Sequence, residues 1–167
     1  MQTTILGLGN LLLRDEGFGV RFLDYLNEKY LFPEGVSLVD GGTLGYGLLN
    51  VISSCNQLLV IDIIKSDDQP GTLYRFNRSE MELHLPAPTS AHEVEFFDVL
   101  SKAEMMGELP ETIFLCIAPQ DYGGELDNTM SPAMHKAFPA MEKLLLNELE
   151  KLQLQPLKRE VSRKTSA

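Results

Sequence analysis

The chain has 167 residues, 44% of them apolar and 23% charged; this is one domain's worth of material and excludes collagen-like, low-complexity and disordered classes. Fourteen Lys and Arg against 24 Asp and Glu give a net charge of −10, with 10 basic and 23 acidic side chains in the first 155 residues. So acidic a body repels phosphates, which argues against a nucleic-acid partner, and no apolar run approaches the ~20 residues of a membrane span. Met1-Gln2-Thr3-Thr4-Ile5 has no basic segment ahead of its apolar run, so no signal peptide is expected and the cytoplasm is the expected location.

Thr3 to Gly9 reads as a first buried strand. A helix follows over 17–30, where Val20, Leu23, Leu26 and Tyr30 share one face, and Pro33-Glu34-Gly35 breaks it. Val36 to Val39 is a second strand ending in Asp40-Gly41-Gly42-Thr43, and 44–53 a second helix. Gln57 to Ile64 is nearly all apolar, as in the middle of a parallel sheet. Asp67 to Gly71 forms a turn, and Thr72 to Phe76 returns as a strand antiparallel to the preceding one. A loop with His84, Pro86 and Pro88 leads to a helix over 91–106, for which Thr89 or Ser90 offers the N-cap. Thr112 to Ala118 is another buried strand. Ser131-Pro132 opens a last helix reaching about Gln153, which Pro139 is expected to kink or divide near Phe138.

Strands alternating with helices define an α/β fold: a three-layer sandwich with a mostly parallel, twisted sheet of about five strands and helices on both faces. Residues 1–155 are expected to form a single domain. Residues 156–167, with Lys158, Arg159, Arg163 and Lys164, are expected to be a solvated basic tail. Cys55 and Cys116 are too far apart for a Cys-x-x-Cys pair, so no zinc ribbon is available. Cys116, inside an apolar run, reads as a small buried hydrophobe. Any metal site must use carboxylates and histidine.

In open α/β sheets ligands bind beyond the carboxyl ends of the strands, where strand order reverses. Those ends carry Gly7-Leu8-Gly9-Asn10, Asp15-Glu16-Gly17, Asp40-Gly41-Gly42-Thr43, Asp62 and Ser90-Ala91-His92-Glu93. A dinucleotide fingerprint fails, because Leu12 stands where its third glycine is needed. Asp62 interrupts an apolar strand, where an ionised carboxylate is costly unless paired or metal-bound; it reads equally as a ligand or as a structural hydrogen-bonding group. Asp15 reads as a helix N-cap, which leaves Glu16 free to project into the crevice, although taken alone Glu16 reads as a first-turn acid rather than a ligand. His92 is the only one of three histidines placed at that rim. Two carboxylates and an imidazole make an O, O, N set that suits nickel, zinc, copper or iron alike. No serine-protease elbow and no His-Glu-x-x-His motif is present.

Gly7-x-Gly9-Asn10-x-Leu12-x-x-Asp15-Glu16-Gly17-x-Gly19, Asp40-Gly41-Gly42-Thr43, Val60-Ile61-Asp62 followed by Pro70-Gly71, and Ser90-x-His92-Glu93 resemble, in order, the motifs of the hydrogenase maturation proteases. These endopeptidases trim the C-terminus of the large subunit of nickel–iron hydrogenases. The resemblance runs from about residue 3 to 152. It implies that Glu16, Asp62 and His92 form the catalytic and metal-binding site, and that the metal is nickel already installed in the precursor of the large subunit. It further implies that Asp40, Gly41, Gly42 and Thr43 recognise the substrate. Pro119-Gln120 inverts the family's Gln-Pro order, which bears on which isoenzyme is served. Three readings follow: a nickel-directed endopeptidase, a non-cleaving nickel-dependent chaperone of the same precursor, and a metal amidohydrolase acting on small peptides. A target-specific protease needs only one precursor at a time, so a monomer is expected.

Overall fold

The computed structural model describes residues 1–42, 44–84, 91–122 and 126–160. Its strands are β1 (Thr3–Leu8), β2 (Tyr30–Leu31), β3 (Val36–Gly42), β4 (Gln57–Ile63), β5 (Leu73–Asn77), β6 (Glu111–Ile117) and β7 (Leu157–Lys158). The α-helices are α1 (Phe18–Lys29), α2 (Leu48–Ser53), α3 (Arg78–His84), α4 (Ala91–Met105) and α5 (Pro132–Lys151), with short 3-10 turns at Arg14–Gly17 and Gly45–Gly47. Five strands form one sheet in the order β3-β1-β4-β6-β5, parallel except for β5.

Alternation along the strands separates two cores. Ile5, Leu59, Ile61, Leu115 and Ile117 face one side, against Phe18, Phe22 and Leu26 of α1 and Met134, Met141 and Leu145 of α5. Leu6, Leu58, Val60, Phe114 and Cys116 face the other, against Leu48 and Ile52 of α2 and Phe96, Val99, Leu100 and Ala103 of α4. Each fully buried side chain of this size contributes about 1.5–3 kcal/mol, so the sheet with helices on both faces is the expected three-layer sandwich.

Several expectations are corrected. The strand after the 67–71 turn is antiparallel but pairs with β6, not with β4, because β6 is inserted between them and β5 is pushed to the edge. His84 ends a helix, α3, where a loop is expected. Asn77 and Glu80 cap that helix reciprocally: the Asn77 side chain accepts from Glu80 N–H and the Glu80 carboxylate from Asn77 N–H, a capping box built on Asn.

Pro139 does not divide α5, which is continuous over Pro132–Lys151. Pro139 and His135 lie on the exposed side, so the carbonyl deprived of its N–H partner is left to water. Met134, Ala137, Met141 and Leu145 meanwhile keep the opposite face in the core.

The basic tail begins later than residue 156. Leu157–Lys158 pair with Tyr30–Leu31, and the Arg159 N–H donates to Lys29 O at 2.8 Å. The Arg159 guanidinium donates to Asn27 O (2.8 Å) and Tyr30 O (3.0 Å), satisfying carbonyls that the end of α1 leaves open. Residues 161–167, with Arg163 and Lys164, lie outside the described residues.

Helix α1 starts hard against the sheet. A Cβ on Gly19 would stand 2.4 Å from both Leu8 O and Ile61 O, and one on Gly7 2.5 Å from Gly19 O. Gly19→Ala is therefore expected to push α1 off β1 and β4 and to cost about 3 kcal/mol, read as a lower midpoint in urea unfolding with an unchanged slope.

Candidate active site

Strand order reverses between β1 and β4: β1 continues to β3 on one side, and the chain then crosses to β4 on the other. The crevice lies beyond their carboxyl ends. Into it come the turn after β1, the end of β4 and the first turn of α4.

Glu16 is carried by the 3-10 turn Arg14–Gly17, and Gly9 permits that turn to sit where it does. Gly9 has φ +127°, and a Cβ there would stand 1.7 Å from Glu16 O. Any side chain at position 9 would displace the turn that carries Glu16.

Asp62 lies on the same face of β4 as Leu58 and Val60, the face covered by α2 and α4. It is 8% exposed, and its Oδ1 accepts the N–H of Ile63 at 2.8 Å. In the sheet register it stands beside Cys116. Burial pushes the Asp62 carboxyl well above the usual carboxylate range; the nearby charges of Glu93 and Glu16 push the same way, against the Ile63 N–H. Burial, then the Glu93 charge, raises Glu16. Cys116, fully buried, is held as a thiol well above its ordinary value by burial and by the Asp62 and Glu93 charges. It is packing, not a nucleophile.

Three carboxylates therefore share one crevice. Glu93, the third residue of α4, takes part in the electrostatics of the site although the sequence marks it only as part of a motif. An acid in a helix's first turn is favoured by the helix dipole anyway, and that ordinary reading hides it. Such a cluster has two chemical uses: to hold a proton near neutral pH or to bind a cation that relieves the repulsion. Among the described residues no group of three or more His, Cys, Asp or Glu is placed to hold a metal ion by itself. His92 is the second residue of α4; its side chain lies outside the described part of the structure.

Asp40, Gly41 and Gly42 end β3, one strand away from Asp62 across β1. Asp40 is exposed and Gly42 has φ +39°. Gly9 N–H donates to Gly42 O at 3.3 Å, which ties this segment to the Gly9 turn. Thr43 lies outside the described residues. Asp15 is not the N-cap of α1: no side chain caps that helix, and Asp15 points inward and is fully buried. A cleft of about 510 Å³ opens at the opposite, amino end of the sheet, lined by Ser53, Asn56, Gly107 and Glu111 among others; no candidate residue faces it.

A five-stranded α/β sandwich with an acidic crevice at its strand-order reversal is the class of protein that this architecture defines. A family model described as hydrogenase maturation protease matches residues 20–148. The chain is 42% identical over 139 residues to the hydrogenase expression/formation protein HoxM of Azotobacter vinelandii, covering 80% of this chain and 67% of that protein. It is 31% identical over 148 residues to the hydrogenase 2 maturation protease of Escherichia coli K12, covering 87% and 89%. The structure is similar to that of the hydrogenase maturating endopeptidase HybD from E. coli, with TM-score 0.88, 28% identity and coverage of 95% and 98%. It is also similar to the [NiFe] hydrogenase maturation protease HybD from Thermococcus kodakarensis, with TM-score 0.72, 27% identity and coverage of 91% and 99%.

The chain belongs to the hydrogenase maturation proteases, the endopeptidases that remove the C-terminal extension of a hydrogenase large subunit. The sandwich and the family implied by the sequence motifs both stand, and a non-cleaving chaperone is not favoured.

The raised carboxyls fix the sign of a stability effect. Asp62 and Glu16 bind protons more tightly folded than unfolded. Their contribution is fully present below the ordinary carboxylate range and is lost as pH rises through the raised folded values. Asp62→Asn removes the buried charge and keeps an acceptor for the Ile63 N–H. We expect it to be more stable than wild type by about 1 kcal/mol at pH 7, or roughly 2–4 °C in melting temperature at this chain length. The gain should shrink as the pH is lowered towards 4, and calorimetry across that range checks it.

Proposed function

We propose that this chain cleaves the nickel-loaded precursor of a nickel–iron hydrogenase large subunit, with Glu16, Asp62 and His92 as the residues that meet the substrate's metal. The observation that supports this reading most directly is the buried Asp62 carboxyl, whose ionisation is made costly by burial and by the charges of Glu93 and Glu16. A divalent cation offsets that cost. The donor set suits it: two carboxylates and an imidazole accept nickel and leave room for ligands that the precursor brings. Nickel enters as part of the substrate, so recognition depends on the precursor being loaded.

Bound nickel supplies Lewis-acid polarisation of the scissile carbonyl. The chain's own residues do the rest. Asp62 or Glu16, with carboxyls raised above the usual carboxylate range by burial and by neighbouring charges, is suited to take the proton of the attacking water. Asp40, Gly41, Gly42 and Thr43 serve substrate recognition; at the end of β3 the exposed Asp40 and Gly42, which has no side chain, let the precursor backbone lie closely. The working unit is a single domain, which the β7 pairing carries past residue 155, acting as a monomer in the cytoplasm on one precursor at a time.

Intact-mass analysis of nickel-loaded and nickel-free precursor after incubation with the protein tests the reading. Loss of a single C-terminal fragment from the loaded form alone is expected; equal cleavage of both forms, or of neither, would sink it. His92→Ala and Asp62→Asn should each lower the processing rate at least a hundredfold while remaining folded. Gly42→Ala, strained at φ +39° and with its Cβ 3.1 Å from Asp40 Oδ1, should raise the KM for the precursor several-fold, measured by the same time courses.

A further inference from the structure

Asp15 stands next to Glu16, and four donors converge on its buried carboxylate from 105–116 residues further along the chain. The N–H groups of Gln120 (3.0 Å) and Asp121 (2.9 Å) and the Ser131 hydroxyl donate to Oδ2, and the Ser131 N–H donates to Oδ1 at 2.7 Å. Gln120 and Asp121 follow β6, and Ser131 immediately precedes α5. One side chain thus joins the turn that carries Glu16 to both ends of the β6–α5 connection.

A second clamp lies just before it. Leu13 bridges to Asp127, Arg14 N–H donates to Asp127 O at 2.8 Å, and Asp127 N–H donates to Leu12 O at 2.9 Å. The Arg14 guanidinium meets the Asp121 carboxylate at 2.9 Å. Between the two clamps Arg14 is held at φ 49°, a left-handed conformation that a residue with a Cβ seldom adopts and that persists where surrounding bonds over-determine it. The strained residue is two positions from Glu16.

We propose that Asp15 is a positioning residue: its carboxylate, by accepting all four donors, seats segments 119–122 and 126–131 as one wall of the substrate crevice and fixes the direction in which Glu16 enters it. An all-acceptor side chain is essential to the device. All four partners donate, and only a carboxylate offers acceptors alone; an amide would turn an NH2 group towards at least one of them. The inference rests on the reading of Glu16 as a residue that meets the substrate's metal.

Asp15→Asn in the full chain tests it with two readouts. Amide hydrogen exchange reads the clamp without the reaction: Gln120, Asp121 and Ser131 should exchange at least tenfold faster, with β6 unchanged. Precursor processing reads the consequence: kcat per folded molecule should fall at least tenfold and KM should rise. A merely structural role lowers the melting temperature and leaves both constants, per folded molecule, at wild-type values; that result overturns the proposal. Ser131→Ala removes one donor and keeps the Ser131 N–H, so it decides the matter if Asp15→Asn does not fold. A three- to tenfold loss in kcat/KM is expected there, and an unchanged value overturns the proposal. Glu16→Gln separates the two readings. Wild-type processing by that variant refutes the role of Glu16, whereas unchanged exchange in Asp15→Asn refutes the clamp.

Discussion

The start of α1 presses on the sheet with nothing but backbone between them. Gly19 lies where a Cβ would stand 2.4 Å from the carbonyl oxygens of Leu8 and Ile61, so the helix spans the junction of β1 and β4 at closest range. That junction is where strand order reverses. The contact sets the height of the Arg14–Gly17 turn over the strand ends, and Gly9, accommodating Glu16 O, sets its lateral position. The distance between Glu16 on the turn and Asp62 on β4 is thus fixed by packing of main chain on main chain, the least compressible contact available.

Against this rigid frame the crevice holds three carboxylates that repel one another, one of them almost fully buried. The free energy that permits this comes from two apolar layers, one on each face of the sheet. Ionic groups elsewhere are well matched. Glu142 is met by Lys29, Tyr25 and Tyr30, and Glu148 by both nitrogens of an Arg75 fork and by Lys151. These acids are lowered by their donors, whereas those of the crevice are raised. The contrast sets the crevice apart as the candidate site: the acids that serve the fold are neutralised by neighbours of the same chain, whereas those of the crevice are raised by burial and by one another.

The layered fold was legible in the sequence because apolar runs, glycine and proline breaks and helical spacing all report local physics. What escaped it depends on partners far along the chain. The register of β5 against β6 could not be read, since nothing in Leu73–Asn77 names its neighbour. Pro139 suggested a break because the solvent-facing placement of the freed carbonyl is a tertiary fact. Asp15 looked like a cap because its four donors lie in segments whose approach no spacing foretells. Glu16, Asp62 and His92 were singled out from their place at the strand ends and from motif order, while Glu93 stood inside the motif and received no role.

The donors of Asp15 come from residues 120, 121 and 131, β5 pairs only with the later β6, and the carbonyls at the end of α1 meet Arg159. On a ribosome, where the chain emerges amino end first, the turn bearing Glu16 lacks the donors that clamp Asp15 until residues 120–131 have been made. The candidate site is thus completed by the last third of the chain: its amino-terminal turn is made early, and the clamp that holds it cannot close until translation is nearly finished.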